Sequence, residues 1–142
     1  MKVSARNVFK GTVSQVQEGA VNAEVVLALP GGNQLVAVVT MESLKNLGIA
    51  VGKEAIALIK APWVMLMTES SDIRLSARNC LEGKVTSVTD GAVNAEVVIQ
   101  LDGGSQVYAI VTRQAVVDLG LAPGVSATAV IKASHIILGV PA

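Results

Sequence analysis

The sequence predicts a mainly β protein made of two small five-stranded barrels in tandem, each carrying one short helix. Three observations lead there. The chain repeats itself: Ser4-Ala5-Arg6-Asn7 returns as Ser76-Ala77-Arg78-Asn79, and Gly19 to Val26 returns unchanged as Gly91 to Val98. Laying residues 1–70 on 73–142 gives 32 identities in 70 positions without a gap, the mark of one small unit used twice. Within each unit, stretches rich in β-branched residues alternate with glycine-centred turn signals. The apolar residues, 51% of the chain, are spread along it as short runs, which suits strands.

The elements follow in order. Val8 to Val16 reads as a strand, with Gly11 as a bulge or bend, and Glu18-Gly19 as a turn. From Ala20 to Leu29, Val21, Ala23, Val25, Leu27 and Leu29 share one face by period two, opposite Asn22 and Glu24. Pro30-Gly31-Gly32-Asn33 is a hairpin signal, because tight hairpins need the positive φ that glycine tolerates. Gln34 to Val39 is the returning strand. Thr40 caps a helix from Met41 to Leu47, with Met41, Leu44 and Leu47 on one face, and Gly48 stops it. Gly52 opens a strand through Ile59, and Trp63 to Met67 is the last. The second copy repeats the pattern, with Asp102-Gly103-Gly104-Ser105 as its hairpin and Thr112 and Gly120 bracketing its helix. Three strands, a short helix and two strands is the order of a small OB-like barrel. The expected domains are 1–70 and 73–142, joined by a polar linker from Thr68 to Asp72. Units of this size lie near the lower limit for a self-sufficient core, so the halves should pack on each other, on other subunits, or both.

Composition narrows the function. Eleven basic residues balance eleven acidic ones, which argues against a nucleic-acid or anionic-membrane surface. Phe9, Trp63 and Tyr108 are the only aromatic residues and none faces an aromatic in the other copy, so stacking platforms for single strands are missing. The single cysteine, Cys80, cannot form an intrachain disulfide and is compatible with a reducing compartment. The longest apolar run, Ala55 to Met67, contains Lys60 and Pro62 and is too short to span a bilayer. No signal peptide is visible, and a cytoplasmic location is expected. No Cys/His cluster has metal-ligand spacing. His135, the only histidine, faces Trp63 of the other copy and reads as a packing or rim residue, which leaves no catalytic triad. No enzyme activity, catalytic residue, cofactor or directly bound metal cation is expected.

The repeat acts as an internal control on the charges. Lys10 faces Glu82, Lys45 faces Val117 and Lys53 faces Val125. Identical cations survive only at Arg6/Arg78 and Lys60/Lys132, beside Ser4 and Asn7 or Ser76 and Asn79. Arg offers a planar fork of donors and Lys a compact charge. Ser, Asn and the backbone N–H groups around Ala20 and Val21 add neutral donors. Such an inventory suits an oxyanion held between segments from a domain or subunit interface. The alternative for the same residues is that Arg6 pairs with Glu24 and both knit strands together.

The ordered phrases Ser-Ala-Arg-Asn, Gly-Ala-Val-Asn-Ala-Glu-Val and Ile-Lys-Ala, found twice, resemble the Mop (molbindin, TOBE-type) domain family, and the resemblance covers nearly the whole chain. It implies OB-like domains assembled about a threefold axis as a homotrimer, with molybdate or tungstate bound intact between domains. By that analogy one class of site uses Ser4, Arg6, Asn7 and Lys60 with Ser76, Arg78, Asn79 and Lys132. A second class lies on the axis, where backbone and short polar groups from three chains meet; Ala20, Val21 and Asn22, and Ala92, Val93 and Asn94, complete the expected oxyanion-binding set. Ser134 stands where the first copy has Pro62, adding a hydroxyl near Lys132 and making the halves unequal. The implied function is intracellular molybdate or tungstate binding for storage, buffering or homeostasis. The rival is an oligomerisation or regulatory interaction module in which any anion is structural.

Overall fold

The computed structural model describes residues 1–69 and 72–142. The expected linker Thr68–Asp72 therefore includes two residues, Ser70 and Ser71, that lie outside the described residues. In the first repeat, β1 (Asn7–Glu18), β2 (Asn22–Ala28) and β3 (Gln34–Thr40) form an antiparallel meander. Then come α1 (Met41–Leu47), β4 (Glu54–Ile59), a single 3-10 turn (Ala61–Trp63) and β5 (Met65–Met67). The second repeat runs β6 (Asn79–Asp90), β7 (Asn94–Leu101), β8 (Gln106–Thr112), α2 (Arg113–Leu119), β9 (Ser126–Ile131), a 3-10 turn (Ala133–His135) and β10 (Ile137–Gly139).

The two final strands are exchanged. One sheet has the order β10-β4-β1-β2-β3 and the other β5-β9-β6-β7-β8. Ile137, Leu138 and Gly139 thus lie opposite Leu58, Ala57 and Ile56 of the first repeat. Met65, Leu66 and Met67 lie opposite Val130, Ala129 and Thr128 of the second. The cause is local: each 3-10 turn packs against the third strand of the other repeat and delivers the chain across the joint. The halves therefore pack on each other within one chain, and their buried apolar residues form one continuous cluster, from Phe9, Val25 and Ile59 to Val97, Ile131 and Leu138. A division of the sequence at residues 70–73 and a division of the chain by sheet membership differ by these two strands.

Local chemistry explains the elements. Thr40 Oγ1 accepts from the Ser43 N–H at 3.0 Å, and Gly48 closes α1 with φ 64°, as its cap residues predict. Leu44 is buried, Met41 packs partly on the core and Leu47 is exposed. The bulge in β1 lies at Ser14 and not at Gly11, because the register with β2 slips between Val13 and Gln15; the Ser14 hydroxyl donates to the Val26 carbonyl at 3.3 Å. Gly11 is required for another reason: a Cβ there would strike the Ala28 carbonyl and come within 2.9 Å of Leu27 Cγ. Val21 does not share the inward face of β2. It precedes the strand and is 72% exposed, as is Val93. Trp63 belongs to the 3-10 turn, so the last strand starts at Met65. At the hairpins, Gly31 has φ 91° and meets Gly103 of the other repeat so closely that a Cβ would overlap its carbonyl. Gly103 N–H also donates to Asn33 Oδ1 at 3.0 Å.

Candidate functional site

The joint is built by retained residues used reciprocally. Asn7, 1% exposed, donates its amide to the carbonyls of Ile59 (3.2 Å) and Tyr108 (2.8 Å) and accepts from the Tyr108 N–H at 2.7 Å. Asn79 does the same with Ile131 at 3.3 Å, and with the Val36 carbonyl and N–H at 2.8 and 2.7 Å. Each asparagine thus ties its own fourth strand to the third strand of the opposite repeat. Both amide hydrogens are taken, so in this arrangement these side chains brace the site and have no donor left for a ligand.

The arginines cross the same joint. Arg6 donates from Nε and Nη2 to Glu96 at 3.1 and 2.9 Å. Arg78 donates from Nη1 to Glu24. The strand-knitting alternative therefore has the right residue types and the wrong repeat: each arginine pairs with the glutamate of the other half, because Asn7 and Asn79 pin the segments there. The Glu96 hydrogen bond and charge hold the Arg6 pKa above the ordinary arginine value. These pairs are half exposed, with side-chain exposures of 53% and 30% for Arg6 and Glu96, so their net contribution to stability is small.

Beside Arg78 lies a groove of about 530 Å³. Ser76, Arg78, Lys132 and Ser134 line it together with Val38 of the first repeat and Met65 of the exchanged strand. The Ser-Ala-Arg and Lys segments, more than 50 residues apart, thus converge with a wall from the other half. The groove can face a small anion with two cations, one of them already paired with Glu24, and offer it two hydroxyls. It is far larger than one oxyanion, so a tight enclosure would need a further surface against it.

The first repeat's counterparts stand differently. The Arg6 guanidinium carbon lies 4.6 Å from the Tyr108 ring centroid, and Lys60 Nζ lies 5.6 Å from that of Trp63. Trp63 in turn packs on His135, centroids 5.2 Å apart, and His135 Nδ1 is buried without a partner among the described residues. Position 135 is the packing residue that its alignment with Trp63 implies. Ala20 and Val21, like Ala92 and Val93, sit in exposed turns where their N–H groups bond no backbone carbonyl among the described residues. The carbonyls of Val21 and Val93 are taken by the first N–H of each helix. Asn22 and Asn94 are exposed at the starts of β2 and β7. These turns are not among the residues lining the Arg78 groove. What sequence reasoning missed is Glu24 and Glu96 as partners across the joint, and Tyr108 and Trp63 as rings under cations. The glutamates carried a signal, since both repeats keep them; the aromatic residues carried none.

Among the described residues no group of His, Cys, Asp and Glu is arranged to hold a metal ion, and no helix is long and apolar enough to cross a membrane. The architecture is that of a tandem pair of small OB-like units with a cationic, hydroxyl-lined groove at the joint. The TOBE domain model matches residues 3–66 and again 75–138, and the chain belongs to that family, as two Mop-type domains in tandem. It is 48% identical over 141 residues to the molybdenum-pterin-binding protein MopA of Rhodobacter capsulatus, covering 99% of this chain and 53% of that one. It is 46% identical over 140 residues to the molybdenum transport protein ModE of Azotobacter vinelandii, covering 99% and 52%. The chain thus spans about half the length of these curated relatives. A solved structure of the cytoplasmic molybdate-binding protein ModG, with molybdate bound, superposes with a TM-score of 0.96 at 62% identity and covers 99% of this chain and all of that one.

Proposed function

We propose that this protein binds molybdate, and tungstate with similar strength, as intact oxyanions in the cytoplasm, for molybdenum storage or buffering and without chemistry on the ligand. The observation that carries this is the convergence of Ser76, Arg78, Lys132 and Ser134 in one groove walled by the other repeat. The likeness to a molybdate-bound protein along the full chain supports the choice of anion. The binding surfaces are Ser4, Arg6 and Lys60, with Ser76, Arg78, Lys132 and Ser134, braced by Asn7 and Asn79. The N–H groups of Ala20, Val21, Ala92 and Val93 form a second class beside Asn22 and Asn94. Exposed Val21, Val93, Met65 and Ile137 are apolar surface that a homotrimer would cover, closing the grooves with neighbouring chains.

Equilibrium dialysis against molybdate, tungstate, sulfate and phosphate tests the reading. Saturable uptake of molybdate and tungstate, unaffected by millimolar sulfate, is expected, because a groove closed by a neighbouring chain holds its donors at a set spacing and cannot shrink onto a smaller ion. Each buried donor left unpaired costs ~1–3 kcal/mol. Equal competition by sulfate would reduce the site to a generic anion patch. The same exposed apolar residues also favour a second reading, an oligomerisation or regulatory module with structural anion; assembly unchanged by anion, with no saturable uptake, would establish it.

A further inference from the structure

We propose that the two repeats' cation pairs bind oxyanion with unequal affinity, the Arg78–Lys132 groove filling first, because Tyr108 and Trp63 engage Arg6 and Lys60, the corresponding cations of the first repeat. This rests on the oxyanion reading above and deepens it. The relevant positions differ between the repeats. Tyr108, beneath Arg6, has Val36 as its counterpart beside Arg78, and Trp63, beneath Lys60, has His135.

Arg6 has its face on a ring at 4.6 Å and its Nε–Nη2 edge on Glu96 at 3.1 and 2.9 Å. That edge is the one suited to bidentate capture of an oxyanion, so Arg6 must release Glu96 before using it. Arg78 reaches Glu24 through Nη1, and its Nε–Nη2 edge has no partner among the described residues. Lys60 is drawn over Trp63 at 5.6 Å, whereas Lys132 lines the open groove beside the Ser134 hydroxyl. At position 62 proline supplies no such donor. A cation already facing a ring loses that contact when it turns to an anion, a handicap of roughly 2- to 5-fold per exposed contact and about 5- to 30-fold for both.

The test is molybdate titration of the full chain and of single variants, each first shown by thermal melting to be folded. Arg78→Ala should remove the tighter groove class and Arg6→Ala the weaker one. Tyr108→Val should tighten the weaker class about 2- to 5-fold, and Val36→Tyr, which places a ring beside Arg78, should weaken the tighter class by a similar factor. Loss of the tighter class in Arg6→Ala, equal effects of the two arginine variants, or no response to either ring substitution would overturn the inference and leave the binding function standing. Absence of saturable molybdate uptake would overturn both.

Discussion

Arg78 and Asn79 are neighbours with opposite tasks: one side chain is half exposed at the groove, the other is sealed into the joint. Removing a hydrogen bond to a charged ligand costs ~1.5–3 kcal/mol, so Arg78→Ala should weaken molybdate binding roughly 10- to 100-fold at its groove. Lys45→Ala, exposed on α1, should leave it unchanged in the same dialysis. Asn79→Ala should instead act on the fold. It orphans the Val36 N–H and carbonyl, for a loss of about 2–4 kcal/mol and a fall in melting temperature of roughly 5–15 °C. An unaltered melting curve would refute the bracing role. The sequence made all these residues visible, since both repeats keep Ser, Arg, Asn and Lys. It could not separate ligand from brace: the Asn7 partners lie 52 and 101 residues away, and retention in both copies serves either use equally well.

At the level of elements, caps and turns were legible because they are local. Thr40, Gly48 and the Gly31-Gly32 hairpin sit where their backbone preferences put them. The exchange of β5 and β10 was not legible, since propensity and periodicity say that a segment is a strand and nothing about which sheet receives it. Only the 3-10 turns, through their packing on the opposite repeat, decide that. Deleting residues 136–142 should therefore loosen the first repeat, from which the deleted segment is most distant in sequence. Amide exchange should accelerate at Ile56 and Leu58 of β4, with Ala127–Ile131 of β9 much less affected; the reverse pattern would refute the observed pairing. Gly31→Ala should also destabilise the chain by more than ~1 kcal/mol, through positive φ and the clash with Gly103, measurable as a lower urea midpoint.

For the whole molecule, two half-sized cores have become one, and the groove beside Arg78, the proposed anion site, lies where they join. Anion binding should then stabilise the entire chain: molybdate at a hundred times its dissociation constant adds about 2.7 kcal/mol per site if only the folded state binds. A melting temperature that fails to rise with molybdate, while uptake is saturable, would mean that the unfolded chain takes up the anion as well as the folded one does. A trimer mass by light scattering is expected at micromolar protein, and a stable monomer would leave the exposed apolar residues without a covering surface.

The strand exchange also bears on how the duplicated halves could diverge. Met67 lies opposite Thr128, and Gly139 lies opposite Ile56: large meets small in both cases. Had each repeat kept its own last strand, Met67 would face Ile56 and Gly139 would face Thr128, one pair crowded and one hollow. The volumes balance only crosswise, and a Cβ on Gly139 would already stand 3.1 Å from Ile56. Gly139→Met should thus overpack the first sheet, a change that typically costs ~1–3 kcal/mol, and Ile56→Thr in the same chain should recover much of it. Substitutions at 56 and 139, and at 67 and 128, should in this way depend on each other across the duplication. Neither copy can now be cut free as an independent unit without refitting the strand it received from the other.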